Sequence, residues 1–247
     1  MQYQLDSAYF QVKIVADMLG YISGFLSGYL FYKYFFKNNQ VTIPFRDKEE
    51  KLFYYLGLFG FAMGFGILVS TFDYYIVHGA KNGLVLSKTV AGAIAGGVIA
   101  SEIFKKVYKI KFNRGVLFVP SLTIGILVGR IGAFMIGLRD NTHGLATNLP
   151  WGYDYGDGIL RHPTQIYEII VLLLIFIIFV IGINTKKEWW INNGFFIFTL
   201  IYFTYRFLVG FVMPYSHFWF GLNSIQVVSI GMIVYSVYKL KKYAYGK

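Results

Sequence analysis

The sequence predicts an all-α integral membrane protein with seven transmembrane helices. Its N-terminus is expected outside, its C-terminus in the cytoplasm, and the connection between helices four and five outward-facing. Three observations predict it. Seven runs approach the roughly 20 mostly apolar residues that a bilayer span takes. Lys and Arg collect in alternate connections, which is how orientation is written into a chain. Of 247 residues, 56% are hydrophobic and 14% charged, with a mean hydropathy of +0.54. A soluble domain of this length has no means of burying so much apolar surface.

The first run, Asp17 to Phe36, ends in aromatics, with Lys33 and Lys37 placed to snorkel. The second, Leu52 to Ser70, carries no charge. The third, Leu84 to Phe104, carries Lys88 and Glu102 and is the weakest of the seven. Its centre, Ala91 to Gly97, is rich in small residues, which permits close helix packing. It follows no strand and lacks the Gly-Lys-Ser/Thr of a phosphate loop. The remaining runs are Gly115 to Ile136, Thr164 to Ile183, Ile191 to Val212 and Leu222 to Tyr238. No linker separates them, so one polytopic domain, residues 1–247, is expected.

Sixteen of the 23 basic residues fall between runs one and two, three and four, five and six, and after run seven. The Asn141 to Arg161 connection therefore faces outward. The formal charge of +11 reads as membrane topology rather than nucleic-acid binding, because the basic residues bracket apolar runs. The absence of cysteine excludes disulfides and thiolate chemistry from this chain. The first residues lack a basic segment followed by an apolar one, so no cleavable signal peptide is expected.

Arg130 lies about six residues inside run four, roughly 9 Å below the outer boundary at 1.5 Å per residue. Arg206 in run six, Glu168 in run five and Gln226 in run seven are expected at a comparable level. Charges within a span face the bundle interior and mark sites. Two arginines and one glutamate leave a net positive charge, suited to a phosphate that both guanidinium forks share. A structural Arg–Glu pair with a spare arginine is the plainer alternative. The connection after run four is rich in turn formers, and Trp151, Tyr153 and Tyr155 suit the headgroup level. It reads as a partly ordered lid. Asp154 and Asp157 with His162 match no compact ligand pattern, so no metal and no cofactor is expected.

The motifs Gly129-Arg130-Ile131-Gly132-Ala133-Phe134, Leu149-Pro150-Trp151-Gly152 and Arg161-His162-Pro163-Thr164-Gln165-Ile166-Tyr167-Glu168 resemble the prolipoprotein diacylglyceryl transferase family. Tyr205-Arg206-Phe207 and Gln226 with Ser229 continue the resemblance in the family's order. It implies a transferase of the bacterial inner membrane. Such an enzyme moves diacylglyceryl from phosphatidylglycerol, a membrane lipid, to the lipobox cysteine of a preprolipoprotein. Arg130 and Arg206 match the family's two essential arginines. Gly132, Gly144, Gln165, Tyr167, Glu168 and Gln226 are the further substrate-binding candidates.

The chain departs from the family pattern in places. Ala133 stands for the motif asparagine, Gly210 for an acidic residue one turn after the second arginine, and Asp140 for a glutamate before Gly144. The family's His-Gly-Gly is absent; the region reads Ser87-Lys88-Thr89-Val90-Ala91-Gly92. A thiol acceptor with a pKa near 8.5 needs a base or a positive field. His162, at the start of run five, leads as the base, with His143 and Asp140 behind it. The alternatives are a relative that uses the same lipid cradle for another acceptor, and a lipid or solute transporter.

Overall fold

A computed structural model describes residues 2–78, 88–110, 113–215, 218 and 220–245. Among the described residues there are seven α-helices: α1 Gln2–Phe31, α2 Lys48–His78, α3 Val90–Val107, α4 Val119–Ile136, α5 Thr164–Thr185, α6 Lys187–Val209 and α7 Ser224–Tyr245. They stand where the seven apolar runs were expected. α1 and α2 are much longer than their runs, because the helical backbone continues into polar flanks. The third run was expected to start at Leu84; its residues 84–87 lie outside the described ones, and α3 begins at Val90. α6 stops at Val209, where the chain turns, rather than at Val212.

Four helical segments are long and apolar enough to cross a bilayer unaided: Gln11–Phe36, Lys48–Ile76, Gly115–Asp140 and Thr164–Thr185. Of the others, α3 carries Glu102, Lys105 and Lys106, and α6 and α7 carry inward polar groups. Asn193, Thr199 and Arg206 of α6 and Gln226, Ser229 and Ser236 of α7 are all buried. Outward positions are the reverse: Phe25 and Met135 are 77% exposed and Phe59 67%. Polar groups kept to the interior under an apolar exterior are the arrangement a membrane protein needs, since lipid accepts apolar surface and satisfies no polar group.

The helices form a chain of neighbours: α1 packs on α4, α4 on α5, α5 on α6, α6 on α7, α7 on α3 and α3 on α2. Small residues set the first and last contacts. On α1, Gly20 and Gly24 meet the backbone of Gly125, and a Cβ at Gly24 would lie 2.8 Å from the Ser121 carbonyl. On α3, Gly92 lies against Gly66 and Phe65 of α2, and Gly96 against Phe61. The small-residue centre of run three is therefore a packing surface. Its two charges are also accounted for. Glu102 accepts from Lys105 at 2.9 Å, Tyr235 at 2.9 Å and Lys239 at 2.6 Å, which ties α3 to α7. Lys88 donates to Tyr21 of α1 at 3.1 Å.

α4 starts with a proline in its first turn and stops at Gly137, whose φ of 72° few other residues adopt. The chain then makes a 3-10 turn, Gly137–Asp140. Beyond it lies a short antiparallel hairpin, β1 Tyr153–Asp154 and β2 Leu160–Arg161, with Ala146 bridged to Arg161. Asp154 Oδ1 closes the hairpin by accepting from the backbone N–H of Gly156, Asp157 and Gly158 at 2.8–3.1 Å. The hairpin departs from a purely helical expectation. It arises because turn formers on both sides of a short extended pair close it locally.

Candidate active site

Pro163 precedes α5 and accepts from the N–H of Ile166 and Tyr167. From there Thr164, Gln165, Glu168, Leu172, Ile175, Phe179 and Ile183 form one buried stripe at helical spacing. The polar members come first, so α5 turns them inward at its outer end.

Glu168 is the meeting point. Its Oε2 lies 3.0 Å from Arg130 Nε of α4 and 3.0 Å from Arg206 Nη1 of α6. Its Oε1 accepts from the hydroxyl of Tyr202 at 3.0 Å. Glu168, Arg206 and Tyr202 are 4% exposed or less, whereas 14% of the Arg130 side chain is exposed. Three charges from three helices thus share one point, and two cations against one anion leave one positive charge. The sequence reading put an anionic headgroup between the two guanidiniums. That position holds the Glu168 carboxylate, so a bound anion meets the remaining N–H groups. Arg206 Nε is such a group, buried and without a hydrogen-bond partner. A buried unsatisfied donor costs about 1–3 kcal/mol, which a ligand oxygen would recover.

A second network hangs from the same helix turn. Tyr155 of the connection donates to Gln165 Oε1 at 2.7 Å, and Gln165 Nε2 donates to Thr142 Oγ1 at 3.2 Å. Thr142 donates to Asp140 Oδ2 at 2.7 Å, and Asp140 Oδ1 pairs with Lys13 of α1 at 2.5 Å. Thr164 also donates to the Thr142 carbonyl, and Tyr205 donates to the Thr164 carbonyl at 3.0 Å. The connection is therefore bound to α1, α5 and α6 by a continuous hydrogen-bonded path.

The remaining candidates lie around these two networks. His162 Nδ1 lies 3.2 Å from the Tyr167 hydroxyl, which Trp151 Nε1 also engages at 2.9 Å. The His162 backbone pairs with Leu145 and Gly144, so this histidine anchors the connection. His143 Nδ1 is buried without a partner. Burial, then the Arg161 charge, pulls this imidazole below its ordinary value. Burial pushes the Tyr155 hydroxyl up to about 12, so it stays a donor. Gly132 packs on Ala16, and a Cβ at Gly144 would lie 2.9 Å from two carbonyls. Gln226 does not reach the triad's carboxylate. Its Nε2 donates to the Phe207 carbonyl at 3.1 Å and its Oε1 accepts from Asn223 N–H at 3.0 Å. Asp154 and Asp157 are engaged in the hairpin turn, where a hydrogen bond from Arg161 holds the Asp157 carboxyl below its usual range. Among the described residues, no group of three His, Asp or Glu has metal-ligand proximity.

Sequence reasoning missed Tyr202 and Thr142, and read Tyr155 as a headgroup-level aromatic without its bond to Gln165. Tyr202 had a signal: it sits four residues before Arg206 and so shares its helix face. Thr142 and the partner of Tyr155 had none, since these contacts are set by how the connection folds back.

The prolipoprotein diacylglyceryl transferase family profile matches residues 9–241. The chain belongs to that family. Three relatives, each named phosphatidylglycerol–prolipoprotein diacylglyceryl transferase, illustrate the distance. One from Campylobacter lari is 34% identical over 159 residues, 60% of this chain and 54% of its own length. One from Finegoldia magna is 31% identical over 71% of this chain and 70% of its own. One from Rickettsia rickettsii is 28% identical over 89% and 88%. No solved structure matches the chain significantly.

Family membership makes two departures informative. Gly210, where the resemblance implies an acidic residue, leaves space that Gln226 fills: a Cβ at 210 would lie 2.7 Å from Gln226 Cγ. Ala133, where the resemblance implies an asparagine, is buried at 6% exposure in the last turn of α4. Of the stretch that lacks His-Gly-Gly, Ser87 lies outside the described residues.

Proposed function

We propose that this chain is a phospholipid-dependent transferase that moves diacylglyceryl from phosphatidylglycerol to the lipobox cysteine of a preprolipoprotein. The Arg130–Glu168–Arg206 triad carries the reading. It is a buried, net-positive site with an unsatisfied guanidinium N–H, set among apolar outer surfaces. Family membership supplies the donor and acceptor. The reaction forms a sulfur–carbon bond to the glycerol carbon, breaks that carbon's bond to the phosphate oxygen and releases glycerol phosphate. Arg130, the more exposed of the two, meets the phosphodiester as it enters, and Arg206 Nε stabilises charge as it gathers on the leaving oxygen. Glu168 and Tyr202 fix both forks. Gln165 and Tyr167 hold the lid over the site, and Gly132, Gly144 and Gln226 let the surrounding backbone close up.

In this reading the chain is one domain, residues 1–247, in the bacterial inner membrane. It spans seven times, N-terminus out and C-terminus in, and its partners are lipid and preprolipoprotein rather than nucleic acid. The thiol proton goes to a histidine of the connection, His162 through Nε2, with Asp140 held instead by Lys13. Expression in a strain depleted of its lipoprotein transferase tests the function, and failure to restore lipidation would reject the acceptor. Arg206→Lys and Arg130→Lys should each lower turnover roughly 100-fold or more, as loss of a transition-state donor does. His162→Gln with near-normal turnover would remove His162 as the base.

A further inference from the structure

The start of α7 has buried polar groups that neither the triad nor the lid uses. Asn223 and Gln226 form a reciprocal cap: Gln226 N–H donates to Asn223 Oδ1 at 2.9 Å and Asn223 N–H to Gln226 Oε1 at 3.0 Å. The Gln226 amide then docks on the Phe207 carbonyl, and its side chain lies on the bare Cα of Gly210. The cap thus sits against the turn of α6 that begins at Arg206. Asn223 is fully buried and Ser224 is 9% exposed. Asn223 Nδ2, Ser224 Oγ and Arg206 Nε are all buried without hydrogen-bond partners. Helix N-termini favour electron-rich groups, and three orphaned donors at the last turn of α6 and the start of α7, two helices that pack together, are costly unless a ligand meets them.

We infer that Asn223 and Ser224 bind the hydroxylated end of the phospholipid headgroup, the glycerol that leaves with the phosphate. This rests on the phospholipid site proposed above and deepens it. The chemistry favours a polyol. An amide N–H donates, a hydroxyl both donates and accepts, and neither is charged. An ammonium headgroup would need a free carboxylate, and Glu168 is already taken by two arginines and a tyrosine. The glycerol end therefore lies against α7 while the phosphate meets the guanidiniums.

The test compares binding of short-chain phosphatidylglycerol and short-chain phosphatidylmethanol, which has the same phosphodiester without hydroxyls, to the full chain in detergent. The parent should prefer the glycerol head by roughly tenfold, a typical yield for one or two hydrogen bonds. Ser224→Ala leaves the cap intact, and Asn223→Asp keeps the Oδ1 cap while removing the Nδ2 donor. Each should cut the ratio severalfold, and the ratio cancels any general effect of the new charge. A parent without preference, or variants that keep it with unchanged unfolding temperature, would overturn the inference. Preferential binding without transfer to a lipobox peptide would leave it standing and reject only the acceptor. Binding of neither lipid would reject both this subsite and the phospholipid site.

Discussion

Arg206 donates from Nη1 to Oε2 of Glu168 across 3.0 Å, and both side chains are buried between α5 and α6. The same oxygen lies 3.0 Å from Arg130, so one carboxylate restrains two cations that would otherwise repel at short range. In water this would matter little. In a low-dielectric interior the charges are coupled strongly, and loss of one partner exposes the repulsion of the rest.

Glu168→Gln keeps the shape and removes the charge. It should destabilise the folded chain by about 3–5 kcal/mol, the usual cost of breaking a buried ionic set from one side. Thermal unfolding in detergent measures it. An unchanged unfolding temperature would mean that the guanidiniums are held by something other than this carboxylate.

Gly210→Ala places a methyl against Gln226, which is fixed by hydrogen bonds to Phe207 and Asn223. Gln226 has to give up one or both bonds to make room. Destabilisation of about 1–3 kcal/mol is expected, as for overpacking elsewhere. Gly210→Ala combined with Gln226→Ala should recover part of it, because the obstructing side chain is gone.

Partial burial, then the Arg161 charge, lowers the proton affinity of His143 below that of an ordinary imidazole. The unfolded chain then takes up the His143 proton at a higher pH than the folded one. Stability from this group is full above the ordinary imidazole value of about 6.5 and falls as the pH drops below it. Proteolysis of the 141–161 connection should therefore accelerate below that pH, and His143→Asn should flatten the profile. An identical acid response in the variant would assign the effect elsewhere.

Topology is tested on a chain that has no cysteine of its own. Cysteines introduced at Asn148 and Lys242 should label from opposite faces of the membrane, Asn148 from outside. Labelling from one face would reject the seven-span arrangement.

Hydropathy and charge placement alone determined much of this protein. The helical class, seven helices near the expected positions and the inward placement of Arg130, Glu168 and Arg206 follow from one-dimensional pattern. A bilayer allows only a few ways to satisfy the backbone and penalises stray charge. The motif residues carried the family in the same way. Only the tertiary structure decided which atoms meet. It put the Glu168 carboxylate, rather than open space, between the arginines, and brought Tyr202 onto it. It also folded the 141–161 connection into a hairpin wired through Gln165, Thr142 and Asp140 to Lys13, the last two being 127 positions apart. Gln226, expected at the site's level, instead fills the space that Gly210 leaves. The reason is physical: depth and facing repeat with the helix, whereas partners depend on how helices far apart in sequence pack against one another.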